Sequence, residues 1–74
     1  MLRSMRPDVT FEKLSRDLWI ATPATSEAIA ITRSVVRRAR VPNIWHAGTV
    51  VFVESVHVDA IADALEAAGL STSV

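Results

Sequence analysis

The stretch Gly48-Thr49-Val50-Val51-Phe52-Val53-Glu54-Ser55 restricts the fold of this chain more than any other. Four consecutive β-branched or aromatic residues fit a pleated surface, and a turn glycine and a polar serine bound them, so the run reads as a strand. Side chains alternate along a strand, which puts Val51 and Val53 on one face and Val50 and Phe52 on the other. Both faces are apolar. Such a strand is stable only with a layer on each side, either two layers of the same chain or one layer and a partner.

Size makes the second option attractive. The chain has 74 residues and no cysteine. A domain this small buries only about 60% of the surface its unfolded chain exposes, and neither a disulfide nor a thiolate metal site can reinforce it. Oligomerisation is the remaining common route. Hydrophobic residues make up 50% of the chain, with two Gly and three Pro, a balance that favours a packed fold over disorder. Met1 to Asp8 has basic residues but no apolar run behind them, unlike a secretory signal. No stretch approaches the ~18 apolar residues of a membrane span. The expectation is a soluble cytoplasmic protein with no membrane partner.

Residues 1–13 read as an N-terminal tail or covering segment and residues 14–74 as one α+β domain. From Asp8 to Ala21 two periods compete. Phe11, Leu14 and Leu18 recur at helical spacing behind a possible Asp8 cap, whereas Asp17-Leu18-Trp19-Ile20-Ala21 reads as a strand. A strand over 15–21, preceded by a loop or a short turn of helix, is the favoured reading. Thr22-Pro23 breaks the chain, and Thr25 or Ser26 caps a helix near 26–40 with Glu27 in its first turn. Ala24, Ala28, Ile31, Val35 and Ala39 make its apolar stripe, widened by Thr32 and Val36. Pro42 ends it.

Asn43 to Ser55 reads as a β-hairpin turning at Ala47-Gly48. With Trp45 opposite Val50 and Ile44 opposite Val51, the aromatics Trp45 and Phe52 share a face. A second helix is predicted near 58–68, with Val58, Ile61, Ala62 and Leu65 inward, Asp59, Asp63 and Glu66 outward, and Gly69 as its stop. Leu70 to Val74 offers a last edge strand. The order β-α-β-β-α, with a possible last β, is that of a ferredoxin-like two-layer sandwich, both helices on one sheet face. Its other face then carries Trp45, Val50 and Phe52 with Trp19 nearby, a large apolar patch for a monomer. The alternative architecture makes 8–21 a helix and the hairpin a wing, as in winged-helix DNA binders, but has one helix too few before the hairpin.

The net charge of zero conceals a division. Residues 1–40 hold all eight basic side chains against four acidic ones, and residues 41–74 hold four acidic and no Lys or Arg. Such a dipole acts within the fold, between subunits or on a charged partner. Arg33, Arg37 and Arg40, with Arg38 to one side, fall on the outer face of the first helix. That face is either solvated, with cations suiting the helix C-terminus, or a contact for nucleic-acid phosphates joined by an arm carrying Arg3 and Arg6.

Few groups point to catalysis. His46 lies at the hairpin turn and His57 past the far end of the next strand, roughly 25 Å or more away at 3.3 Å per residue, too far to share a metal within one chain. His57 and Asp59 alone are two ligands. No serine stands in a nucleophile motif, and neither glycine lies between a strand and a helix start to cradle phosphate. The aromatics lack the basic and glycine spacing of RNA-binding sheets. The sequence therefore points to a non-enzymatic interaction module with no cofactor or metal, a homodimer through Trp19, Trp45, Val50 and Phe52 that binds or modulates another protein. Nucleic-acid binding through Arg33, Arg37, Arg38 and Arg40 is the alternative.

Overall fold

The structure, a computed structural model, describes residues 6–74. Two helices pack on one face of a five-stranded mixed sheet. In chain order the elements are β1 (Val9–Lys13), β2 (Leu18–Pro23), α1 (Ser26–Ala39), β3 (Asn43–His46), β4 (Val50–Glu54), a 3-10 turn (Ser55–His57), α2 (Val58–Ala67) and β5 (Thr72–Ser73). The strands lie in the order β3-β4-β2-β1-β5, antiparallel except for the parallel β1–β5 pair.

β1 corrects the expected tail. Val9-Thr10-Phe11-Glu12 alternates with period two, and Val9 and Phe11 are 0% and 5% exposed beneath the helices. The segment expected to end as a tail or cover at residue 13 is thus an internal strand, joined to β2 by a turn in which Leu14 and Ser15 donate to the Leu18 carbonyl. Because β1 extends the sheet edge-on, it covers neither face. Asp8 does not cap a helix. Its carboxylate accepts from the Ser71 amide (2.8 Å) and hydroxyl (3.2 Å), tying the start of β1 to β5. The strand expected over 15–21 begins instead at Leu18 and runs to Pro23, and the winged-helix alternative fails because 8–21 contains no helix.

The helices form where the sequence places them. Thr25 Oγ1 accepts from the Ala28 amide at 3.0 Å and caps α1. Its buried stripe is Ala28, Thr32 and Val36, four residues apart, with Ile31 and Val35 half-buried beside it, while Ala24 and Ala39 are exposed. On α2 all four expected residues, Val58, Ile61, Ala62 and Leu65, are buried. Both helices end alike. Val41 donates to the Val36 carbonyl and Arg40 to that of Arg37, as Leu70 does to Leu65 and Gly69 to Glu66. The next side chains, Val41 and Leu70, close the core. This termination needs a left-handed residue, supplied by Gly69 (φ 97°) on α2 and by Arg40 (φ 57°) on α1.

Arg40 lacks glycine's freedom there, so Arg40→Gly is expected to stabilise the fold by about 0.5–1 kcal/mol, the relieved strain less the extra freedom of the unfolded chain. A raised urea midpoint at unchanged slope would show it. Thr32 presents a second internal cost. It is 0% exposed, and its hydroxyl has no hydrogen-bond partner. Thr32→Val keeps the shape and removes the orphaned group, with an expected gain of about 1–2 kcal/mol, seen as a rise of several degrees in the thermal midpoint.

Candidate functional site

Register decides which residues can meet a partner. Trp45 pairs with Val51 and Ile44 with Phe52, one residue out of step with the expected hairpin. The cause lies in the loop. Ala47 and Gly48 both take positive φ (56° and 70°), Thr49 donates to the His46 carbonyl, and the loop spans three residues, from 47 to 49. A one-residue slip moves every side chain of a strand to the other face. Trp45 therefore joins Val51 and Val53 under the helices, and Ile44 takes its place beside Phe52 on the open face.

Trp19 also lies elsewhere than expected, because of the register of β2 and not of the hairpin. It pairs with Val53 of β4 and Lys13 of β1, and so also lies on the helix side. Both tryptophans are half-buried against the core. Of the four residues expected on the open face, Val50 and Phe52 remain. They are joined by Ile20, directly opposite Phe52, by Leu18 opposite Glu54, and by Ile44. Leu18, Ile20, Val50 and Phe52 are half-buried by one another, Ile44 is 72% exposed, and no described element covers this face. Glu12, Glu54 and His46 stand at its margins by register. A shallow depression of about 300 Å³ between Leu18, Pro42, Ile44 and Phe52 marks its β3 side.

The arginines do not form one surface. Arg33 folds back over the hairpin, its guanidinium carbon 4.4 Å from the Trp45 ring centroid and Nη2 donating to the Gly48 carbonyl at 3.3 Å. It thereby holds the hairpin to α1 through a cation–π contact. Arg37, one turn on, lines a recess of about 240 Å³ with Arg33, Asn43 and Trp45. Arg38 turns the other way, donating to Ser34 Oγ at 3.3 Å and lining the groove between the helices with Ala64, Ala67 and Ala68. Arg40 is exposed at the end of α1, and Arg3 lies outside the described residues. The acidic stripe of α2 does not neutralise them: among the described residues no carboxylate pairs with Arg33, Arg37, Arg38 or Arg40.

The histidines stay apart from any cluster. His57 Nε2 lies 3.9 Å from Glu54 Oε1, and among the described residues no three His, Asp or Glu side chains are grouped to hold a metal ion. No helix there is long and apolar enough to cross a membrane. The sequence signal for Ile20 and Ile44 is ordinary strand alternation; for Ile44 a two-residue hairpin loop assigns the wrong face, and for Ile20 the face follows from the pairing of β2 with β4. Compared with family models, with curated proteins and with solved structures, the chain matches none.

Proposed function

We propose that the chain is a small non-enzymatic interaction module, a homodimer that buries its helix-free sheet face and binds or modulates a partner protein. One observation carries it: Leu18, Ile20, Ile44, Val50 and Phe52 form a continuous apolar patch over three adjacent strands, and no described element lies on it. On a small domain such a patch marks a contact surface. A second copy suits it because the arginines of α1 stand with the helices on the opposite side, so two sheet faces can meet without apposing them.

The architecture we assign is a ferredoxin-like sandwich with one strand added. Without β1 the sheet order becomes β3-β4-β2-β5 with every neighbour antiparallel, the arrangement of a split β-α-β fold. The added strand widens the open face.

Unfolding measured against protein concentration tests the dimer. Folding coupled to association gains stability with concentration, about 2.7 kcal/mol for a hundredfold increase. The urea midpoint is expected to rise by on the order of 1–2 M between 1 and ~100 μM chain. A midpoint independent of concentration would overturn the proposal.

A further inference from the structure

We propose that the free edge of β3 is the docking site for an extended acidic segment of a partner protein, which adds to the sheet as a sixth strand. The inference rests on the reading of this chain as an interaction module and names the chemistry of the partner; it does not depend on self-association.

Among the described residues β3 is an end strand, hydrogen-bonded on one side to β4 only. Its outer side therefore offers main-chain donors and acceptors to a further strand. The other end of the sheet, β5, is two residues long and offers much less.

The side chains flanking β3 select what can lie there. A strand added about 4.8 Å beyond it would send alternate side chains to the two faces of the sheet. On the helix side they would meet the recess formed by Arg33, Arg37, Asn43 and Trp45. Among the described residues Arg37 has no carboxylate partner, and Arg33 is fixed by its indole and Gly48 contacts. Charge-assisted bonds to guanidinium favour carboxylates at these positions. On the open face the intervening side chains would lie beside the exposed Ile44 and His46 of β3. The site thus fits a strand that alternates acidic and apolar residues.

Charge also disfavours the other obvious occupant. Two copies pairing antiparallel along β3 would form one continuous sheet with all helices on the same side. Arg33 of one copy would then face Arg37 of the other across the seam, and like charges so placed repel.

The probe is a fluorescein-labelled ten-residue peptide alternating glutamate with valine, with a control carrying lysine in place of glutamate. Anisotropy titrations of the whole chain are expected to show binding of the acidic peptide that weakens with salt and at least tenfold weaker binding of the lysine peptide. Arg37→Glu lies on an exposed helix surface and should leave the fold intact by circular dichroism while reversing the preference between the two peptides. Amide exchange should slow at residues 43–46 when the acidic peptide is bound.

No binding of either peptide, equal binding of both, or a preference that Arg37→Glu leaves unchanged would overturn the proposal. So would tighter binding of a single-stranded oligonucleotide at the same residues, or protection of residues 43–46 that rises with chain concentration in the absence of peptide, which would assign the edge to nucleic acid or to a second copy. Solution mass measured on the same samples separates the two proposals. Acidic-peptide binding by a monomer removes the dimer alone, and a dimer that ignores the peptide removes this inference alone.

Discussion

Phe52→Asp is expected to yield a folded monomer. Phe52 stands in β4 between Ile20 and Ile44, on the face the helices do not cover. Its ring contributes to the half-buried apolar patch and does not face the space between sheet and helices. A carboxylate there remains in water in the single chain but is trapped between two sheets in a dimer, where an unpaired charge is strongly disfavoured. Replacing an aromatic anchor at the centre of an interface costs about 2–4 kcal/mol, or roughly 30- to 1,000-fold in dissociation constant. Circular dichroism should be unchanged, and the sedimentation or scattering mass should fall to that of one chain. A Phe52→Asp variant that stays dimeric would place the contact elsewhere.

Val51→Asp, one residue earlier, is expected to unfold the chain. Val51 is 0% exposed, paired with Ala21 and Trp45 in the sheet and part of the buried cluster with Val9, Ile61 and Leu65. A carboxylate buried there has no basic partner in that cluster, and the cost should exceed about 4 kcal/mol. A chain of 74 residues has roughly 4–11 kcal/mol in total. Loss of the far-ultraviolet signal and of amide dispersion would report it. Together the two substitutions test the parity of β4 directly: adjacent positions, the same new side chain and opposite outcomes. A Val51→Asp variant that stays folded would mean that the helices do not cover the face assigned to them.

Local signals in the sequence carry much of this fold, and non-local ones carry the rest. The run Val50 to Val53, the Thr25 cap, the α2 stripe and the stop at Gly69 all depend on near neighbours, and each appears where its residues indicate. β1 is hidden in the sequence because Phe11, Leu14 and Leu18 imitate a helical repeat. What makes Val9–Lys13 a strand is pairing with β2 and with β5, some sixty residues away. The hairpin is legible, but its register is not. Two-residue loops are the common case, and a left-handed alanine at position 47 leaves no mark in the sequence.

That single loop residue exchanges Trp45 for Ile44 on the open face. Its effect reaches further, because Trp45 on the helix side becomes the seat for Arg33. A side chain expected to point into solvent from the outer face of α1 instead packs on the hairpin. Arg37 is left beside the β3 edge with no carboxylate partner among the described residues. The charge division between the halves of the chain is real in the sequence but is not consumed by ion pairing between α1 and α2.

The central claim is that a second copy covers the open sheet face, and the mass of the native chain in solution tests it most directly. Light scattering after size exclusion, at low and at high salt, is expected to give close to twice the 8.1 kDa chain mass in both conditions, since apolar burial does not weaken as salt screens charge. A single-chain mass at both salts would contradict the claim. A dimer that dissociates at high salt would contradict it as well, because the contact would then be made by the charged surfaces and not by Leu18, Ile20, Val50 and Phe52.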